Sequence, residues 1–112
     1  MIIAIPLVGG RLSMHFGHCE QFALVQADPG SKTILDTKLL SSPPHQPGLL
    51  PQWLHEHGAQ VVIAGGMGQR AQQLFAQNGI QVIVGTADGE PQSLVTAYLA
   101  GTLRTGANLC DH

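Results

Sequence analysis

Three short aliphatic runs, each closed by glycine, dictate most of what this chain can fold into. Residues 2–8 run into Gly9-Gly10, residues 61–64 into Gly65-Gly66-Met67-Gly68, and residues 80–84 into Gly85. Unbroken apolar runs this short read as strands buried on both faces, which need helices packed on either side. The later runs alternate with helical patterns. Leu50, Trp53 and Leu54 form an apolar stripe from Leu49 to Gly58, with Pro51 in the first turn. Ala71, Leu74 and Phe75 do the same over residues 69–77, ended by Asn78-Gly79. Pro91 opens a third helix carrying Leu94, Val95, Tyr98 and Leu99. Residues 21–27 and 33–39 are strand-like and divided by Asp28-Pro29-Gly30-Ser31, the turn chemistry of a hairpin. In the second of them, Thr33, Leu35, Thr37 and Leu39 alternate with Ile34, Asp36 and Lys38, which predicts a half-exposed strand. The expected fold is a three-layer α/β sandwich with a mixed five-stranded sheet and about three helices, in one domain over residues 1–112, with 103–112 as a flexible tail.

Composition narrows the function. Charged residues are only 11% and hydrophobic residues 44%, so the chain is not a disordered tail. Five Lys+Arg against seven Asp+Glu leave no basic footprint for nucleic acid or an acidic membrane. No apolar run approaches the ~20 residues of a membrane span, and the start lacks the basic segment of a signal peptide. A cytoplasmic location is expected. Two cysteines, Cys19 and Cys110, cannot form a disulfide framework and read as thiols or metal ligands beside six histidines.

If the three aliphatic strands are parallel, their carboxyl ends share one sheet edge, and the hairpin returns to it. Loops 9–20, 40–48 and 65–68 then meet where open α/β sheets bind ligands. The first loop carries His15-Phe16-Gly17-His18-Cys19, two imidazoles and a thiol suited to Zn, Cu, Fe or metal–sulfur species, and His45 arrives from the second. Neither a C-x-x-C nor an H-x(3–5)-H pair supports ordinary structural zinc. Gly65-Gly66-Met67-Gly68 precedes a helix with Arg70 in its first turn, the makings of an anion site. A tight turn needing small residues is an equal alternative, and Met67 fits a core position better than a soft contact. Without a Walker Lys-Ser/Thr or a full G-x-G-x-x-G, no nucleotide is expected. Cys110 and His112 add a thiol and an imidazole in the tail, where a disordered polar end is the plainer reading. His55 and His57, two apart on a helix, read as surface residues. Carboxylates are scattered, so paired-acid or two-metal catalysis is disfavoured.

Together, the opening Ile-Ala-Ile-Pro strand, His15-Phe16-Gly17-His18-Cys19 with Phe22, Pro44-His45-Gln46-Pro47-Gly48, Gly65-Gly66-Met67-Gly68-Gln69-Arg70-Ala71 and Asn108-x-Cys110-Asp111-His112 resemble the dinitrogenase iron–molybdenum cofactor biosynthesis family across essentially the whole chain. The resemblance implies a ribonuclease-H-like sandwich without the nuclease carboxylates. It also implies carriage in place of turnover: a non-enzymatic domain that holds iron–molybdenum cofactor or its iron–sulfur precursor, or a molybdenum–copper sulfide cluster as in a related small protein of sulfate reducers. Cluster donor and acceptor proteins would be its partners. Carried over by residue, the cluster surroundings are His15, His18, Cys19 and His45, with Gly65, Gly66, Met67, Gly68 and Arg70 beside them. The competing expectations are a small Cys/His- or zinc-dependent enzyme and a metal-sensing regulatory domain.

Overall fold

A computed structural model describes residues 1–16, 19–44, 46 and 48–106. In chain order the elements are β1 (Ile2–Val8), β2 (Arg11–Leu12), β3 (Gln21–Asp28), β4 (Thr33–Ser41), α1 (Leu49–Glu56), β5 (Val61–Ile63), α2 (Gln69–Gln77), β6 (Gln81–Ile83) and α3 (Pro91–Ala100). The sheet runs β4-β3-β1-β5-β6, with β2 added on β1. β1, β5 and β6 are parallel, and β3 and β4 antiparallel to their neighbours. With the two-residue β2 set aside, this is the mixed five-stranded, three-helix sandwich of ribonuclease-H type.

The layers follow from side-chain alternation. On β1, Ile3, Ile5 and Leu7 join Ala23, Val25 and Ile63 against Leu94 and Val95 of α3. Ala4 points the other way, with Phe22, Leu24 and Val62, onto Leu54 of α1 and Phe75 of α2. The strand is thus buried on both faces, as its unbroken apolar run requires. The last residues of the hairpin partner are different. β4 is an edge strand whose burial is shallow throughout, with Leu35 62% and Leu39 58% exposed.

One feature of the first strand differs from the sequence reading. Gly9-Gly10, taken there as the start of a loop, closes a two-residue hairpin: Val8 pairs Arg11, and both glycines have positive φ, 61° and 80°. That is the backbone a primed hairpin turn demands, and two glycines meet it without strain. Pro6 lies inside the strand, opposite Phe22. Its carbonyl accepts Ser13 N–H at 2.8 Å, whereas the next carbonyl, Leu7, accepts Glu20 N–H from the β3 side. The missing proline N–H therefore faces β2, where it forfeits one end bond of a two-residue ladder and none to β3.

Of the segment read as a flexible tail, residues 103–106 are tied to the fold, although only Leu103 among them is partly buried. Leu103 lies against the α3-side core, Thr105 bridges Thr86, and Gly106 N–H donates to Gly85 O at 2.6 Å. The chain turns back at Gly101, whose left-handed conformation ends α3 with Thr102 N–H on Ala97 O.

Candidate functional site

The expected meeting of loops at the carboxyl edge is present, and hydrogen bonds hold it. β1 and β5 pair only through Ile3–Val61 and Ala4–Val62, so the two strands part toward their carboxyl ends. β2 and the residues after it fill that gap. Ser13 bonds Pro6 on one side, and Phe16 N–H donates to Gly66 O at 2.9 Å on the other, with His15 and Gly66 forming a parallel bridge. The loop is thereby stitched between two strands. Gly65 lies directly under it. A Cβ there would stand 3.0 Å from Met14 Cα and 3.2 Å from Ser13 O, so this position takes only glycine without displacing backbone.

The second loop joins through Glu20 and Cys19. Ser42 N–H donates to Glu20 O at 3.0 Å, and the Glu20 carboxylate accepts Gly9 N–H at 3.1 Å. Cys19 is a half-buried free thiol whose Sγ donates to Ser42 Oγ at 3.8 Å. Burial pushes this thiol above its ordinary range, and the Ser42 hydroxyl and the backbone only partly oppose it. A thiol in that state is a poor nucleophile at neutral pH. His15 is exposed, and its carbonyl accepts the Ser13 hydroxyl at 2.8 Å.

Beneath these residues, Phe16 stacks edge-on against Phe75 with centroids 5.3 Å apart and tilts against Phe22 at 5.9 Å. This aromatic anchor fixes Phe16, next to His15, one of the expected ligands. The third loop supplies the N-terminus of α2. Its N-cap, Gly68, has ordinary extended φ/ψ (−66°, 156°), no side chain caps the helix, and no acid stands in its first turn. A Cβ on Gly68 would meet nothing within 4 Å. Unlike Gly65, this glycine is not required by packing. Arg70 is exposed in that turn. Met67 is 1% exposed in the Phe16–Phe75 core, and its carbonyl accepts Gln72 Nε2 at 3.0 Å. The Met67 side chain therefore serves packing.

His18, His45, Cys110 and His112 lie outside the described residues. Among the described ones, no three His, Cys, Asp or Glu side chains converge as a metal site. His55 and His57 are exposed on and just after α1, with the His57 ring edge-on to Trp53 at 4.6 Å.

The sequence reading missed a fourth loop. Residues 84–90 end the parallel strand β6 at this same edge: Gly85 N–H donates to Gly65 O at 2.6 Å and Leu12 N–H to Gly89 O at 2.9 Å. Arg11 and Asp88 add an exposed ion pair at 3.2 Å. The parallel-strand argument that gathered the other loops applies equally to this one. Within it Thr86 is 1% exposed, and its Oγ1 has no hydrogen-bond partner among the described residues.

The sequence comparison decides the kinship: residues 1–101 match the family described as dinitrogenase iron-molybdenum cofactor. The chain belongs to that family. Among relatives, it is 31% identical over 85 residues to an uncharacterized protein, MJ0580, of Methanocaldococcus jannaschii, covering 73% of this chain and 72% of that one. The crystal structure of PH0822 superposes with a TM-score of 0.86 at 29% identity, over 94% of each chain. The apo form of the orange protein from Desulfovibrio gigas gives 0.66 at 23% identity, over 96% of this chain and 93% of that one, and shares the fold. No helix among the described residues of this family member is long and apolar enough to cross a membrane.

Proposed function

We propose that this domain is a cytoplasmic carrier that holds an anionic metal–sulfur cluster at its four-loop edge and passes it from a donor to an acceptor protein in metallocofactor assembly. Family membership supports a role connected with iron–molybdenum cofactor. The single observation that carries the reading is the bonded junction of Phe16 with Gly66, which puts His15 beside the turn that leads into α2. Soft donors come from the first loop and anion-binding N–H groups from the third, the two things a thiometallate cargo requires.

In this reading Cys19 and His15 ligate together with His18 and His45, Arg70 and the Gly66–Gly68 backbone balance the charge, and Cys110 and His112 are auxiliary donors. Gly106 is bonded to Gly85 at this edge, and Cys110 follows four residues later, a reach of up to ~13 Å. Cargo of Fe–S, Fe–Mo–S or Mo–Cu–S type fits the donor set; a nucleotide does not. Burial raises the Cys19 thiol, which weakens it as a free nucleophile, whereas as a ligand it would lose its proton to the bound metal.

Anaerobic reconstitution with iron, sulfide and molybdate, read by absorption and metal analysis, tests the proposal. Stoichiometric metal and sulfide with charge-transfer bands are expected. His15→Ala, His18→Ala and Cys19→Ala should each lower occupancy, and His55→Ala with His57→Ala should not. Uptake of zinc without sulfide, or a triple variant at 15, 18 and 19 that keeps full occupancy, overturns it.

A further inference from the structure

The edge strand β4 reads almost the same in both directions about Thr37. Outward from that residue the pairs are Asp36 and Lys38, Leu35 and Leu39, Ile34 and Leu40, Thr33 and Ser41. Such symmetry has no use inside one chain, because β3 on its inner side is not symmetric. It has a use across a two-fold axis, where antiparallel pairing of β4 with itself sets each residue opposite its mirror position. We propose that the chain self-associates through β4, centred on Thr37, to form one continuous sheet through both copies.

The backbone is turned the right way. Ser42 N–H donates inward to Glu20 O, in register with the β3–β4 ladder. Strand alternation then turns Lys38 and Leu40 inward and Thr37, Leu39 and Ser41 outward. The hydrogen bond of Thr37 agrees: its N–H is taken at 2.9 Å by the Asp36 carboxylate next to it, not by β3. Self-pairing exchanges that local bond for reciprocal Thr37 N–H to Thr37 C=O bonds.

The charges are complementary only in this register. Asp36 and Lys38 oppose Gln26 and Leu24 on β3, so both stand on the α1 face, and both rim the same cavity of about 280 Å³ with Leu24, Leu40 and His57. Two-fold pairing puts Asp36 of each copy opposite Lys38 of the other, freeing the carboxylate from Thr37 N–H as it meets the ammonium. Leu35 and Leu39, the two most exposed large apolar residues described, come opposite one another as well. The β-bulge between Gln26 and Ala27 falls at Leu35 and bounds the ladder there, so the contact is short and the association concentration-dependent.

The full chain, measured by sedimentation equilibrium over a concentration series, is expected to rise from monomer toward twice the monomer mass. Asp36→Lys and Lys38→Asp each make like charges oppose one another and should raise the dissociation constant by about tenfold or more, and the double swap should restore it. Thr37→Pro deletes an N–H that β3 does not use and should give a monomer with an unchanged melting profile. Under mild oxidation Thr37→Cys should yield a disulfide-linked dimer beyond any formed by the native thiols. Ser41→Cys, which faces position 33 of the other copy, should not. A wild-type chain that stays monomeric throughout, a double swap no better than the single variants, or equal crosslinking at 37 and 41 overturns the proposal.

Discussion

Gly65 and Gly68 belong to one turn yet obey different constraints. Gly65→Ala pushes a methyl group into the Met14 backbone and should cost about 1–3 kcal/mol, read by urea unfolding, with loss of the site loop's order. Gly68→Ser enters open space at an N-cap with suitable φ/ψ, so it should leave stability unchanged or raise it by a few tenths of a kcal/mol. Its hydroxyl also takes an α2 N–H and fills the approach to it. Reconstituted occupancy should therefore fall in Gly68→Ser even as the fold gains. Equal uptake by Gly68→Ser and wild type would remove the turn from the site. Asp28 makes a separate residue-scale case. Its carboxyl is held below the usual range first by the Ser31 hydroxyl and then by Gly30 N–H, both at 2.9 Å. A depressed folded value means that this support is complete above the unfolded carboxylate range and is lost as pH falls through the folded one. Gly30 amide exchange, corrected for its intrinsic pH dependence, should show protection fading across that acid window; Asp28→Ala should lack the protection at every pH.

At the scale of elements, α2 is attached by very little. Phe75 is its one fully buried side chain, with Ala71, Gln72 and Leu74 partly buried and the remaining residues exposed. Phe75→Ala should lower the unfolding free energy by about 3–5 kcal/mol in a denaturant titration. A loss below about 1 kcal/mol would mean that other contacts hold α2. Helix positions were legible in the sequence because Pro91, Gly58, Asn78-Gly79 and the apolar stripes are local signals. Strand β2 was not legible: two residues carry no period, and only the Gly-Gly dipeptide before them marked a turn. The exposure of Leu35 and Leu39 was half legible. Alternation identified a strand with one open face, but the bulge that shifts register at Leu35 depends on pairing with β3.

For the whole molecule, the gathering of loops at one edge followed from chain direction alone, since parallel strands must end together; the strand order β4-β3-β1-β5-β6 did not. What direction does not reveal is how far the loops interlock. The Phe16–Gly66 bond, the Ser13–Pro6 bond and the return of residues 102–106 to Gly85 all depend on tertiary contacts between residues distant in sequence. Candidate site residues were legible as residue types, His15 and Cys19 among them, while the surroundings supplied by Ser42 and Thr86 were not, because an ordinary hydroxyl acquires meaning only from what surrounds it. Pro6 shows the same limit. In sequence it is one residue of an apolar run, and in the fold it marks where β1 gives up β5 and takes the inserted loop.

That insertion bears on timing. A segment wedged between two strands opens only when the margin of the sheet frays, so residues 12–16 cannot swing aside as a gate. Release of a guest would then be governed by attack of an incoming donor atom from the solvent side, next to exposed His15 and Arg70. Handover of that kind accelerates with the concentration of the recipient, and has no ceiling set by an opening step of the carrier itself.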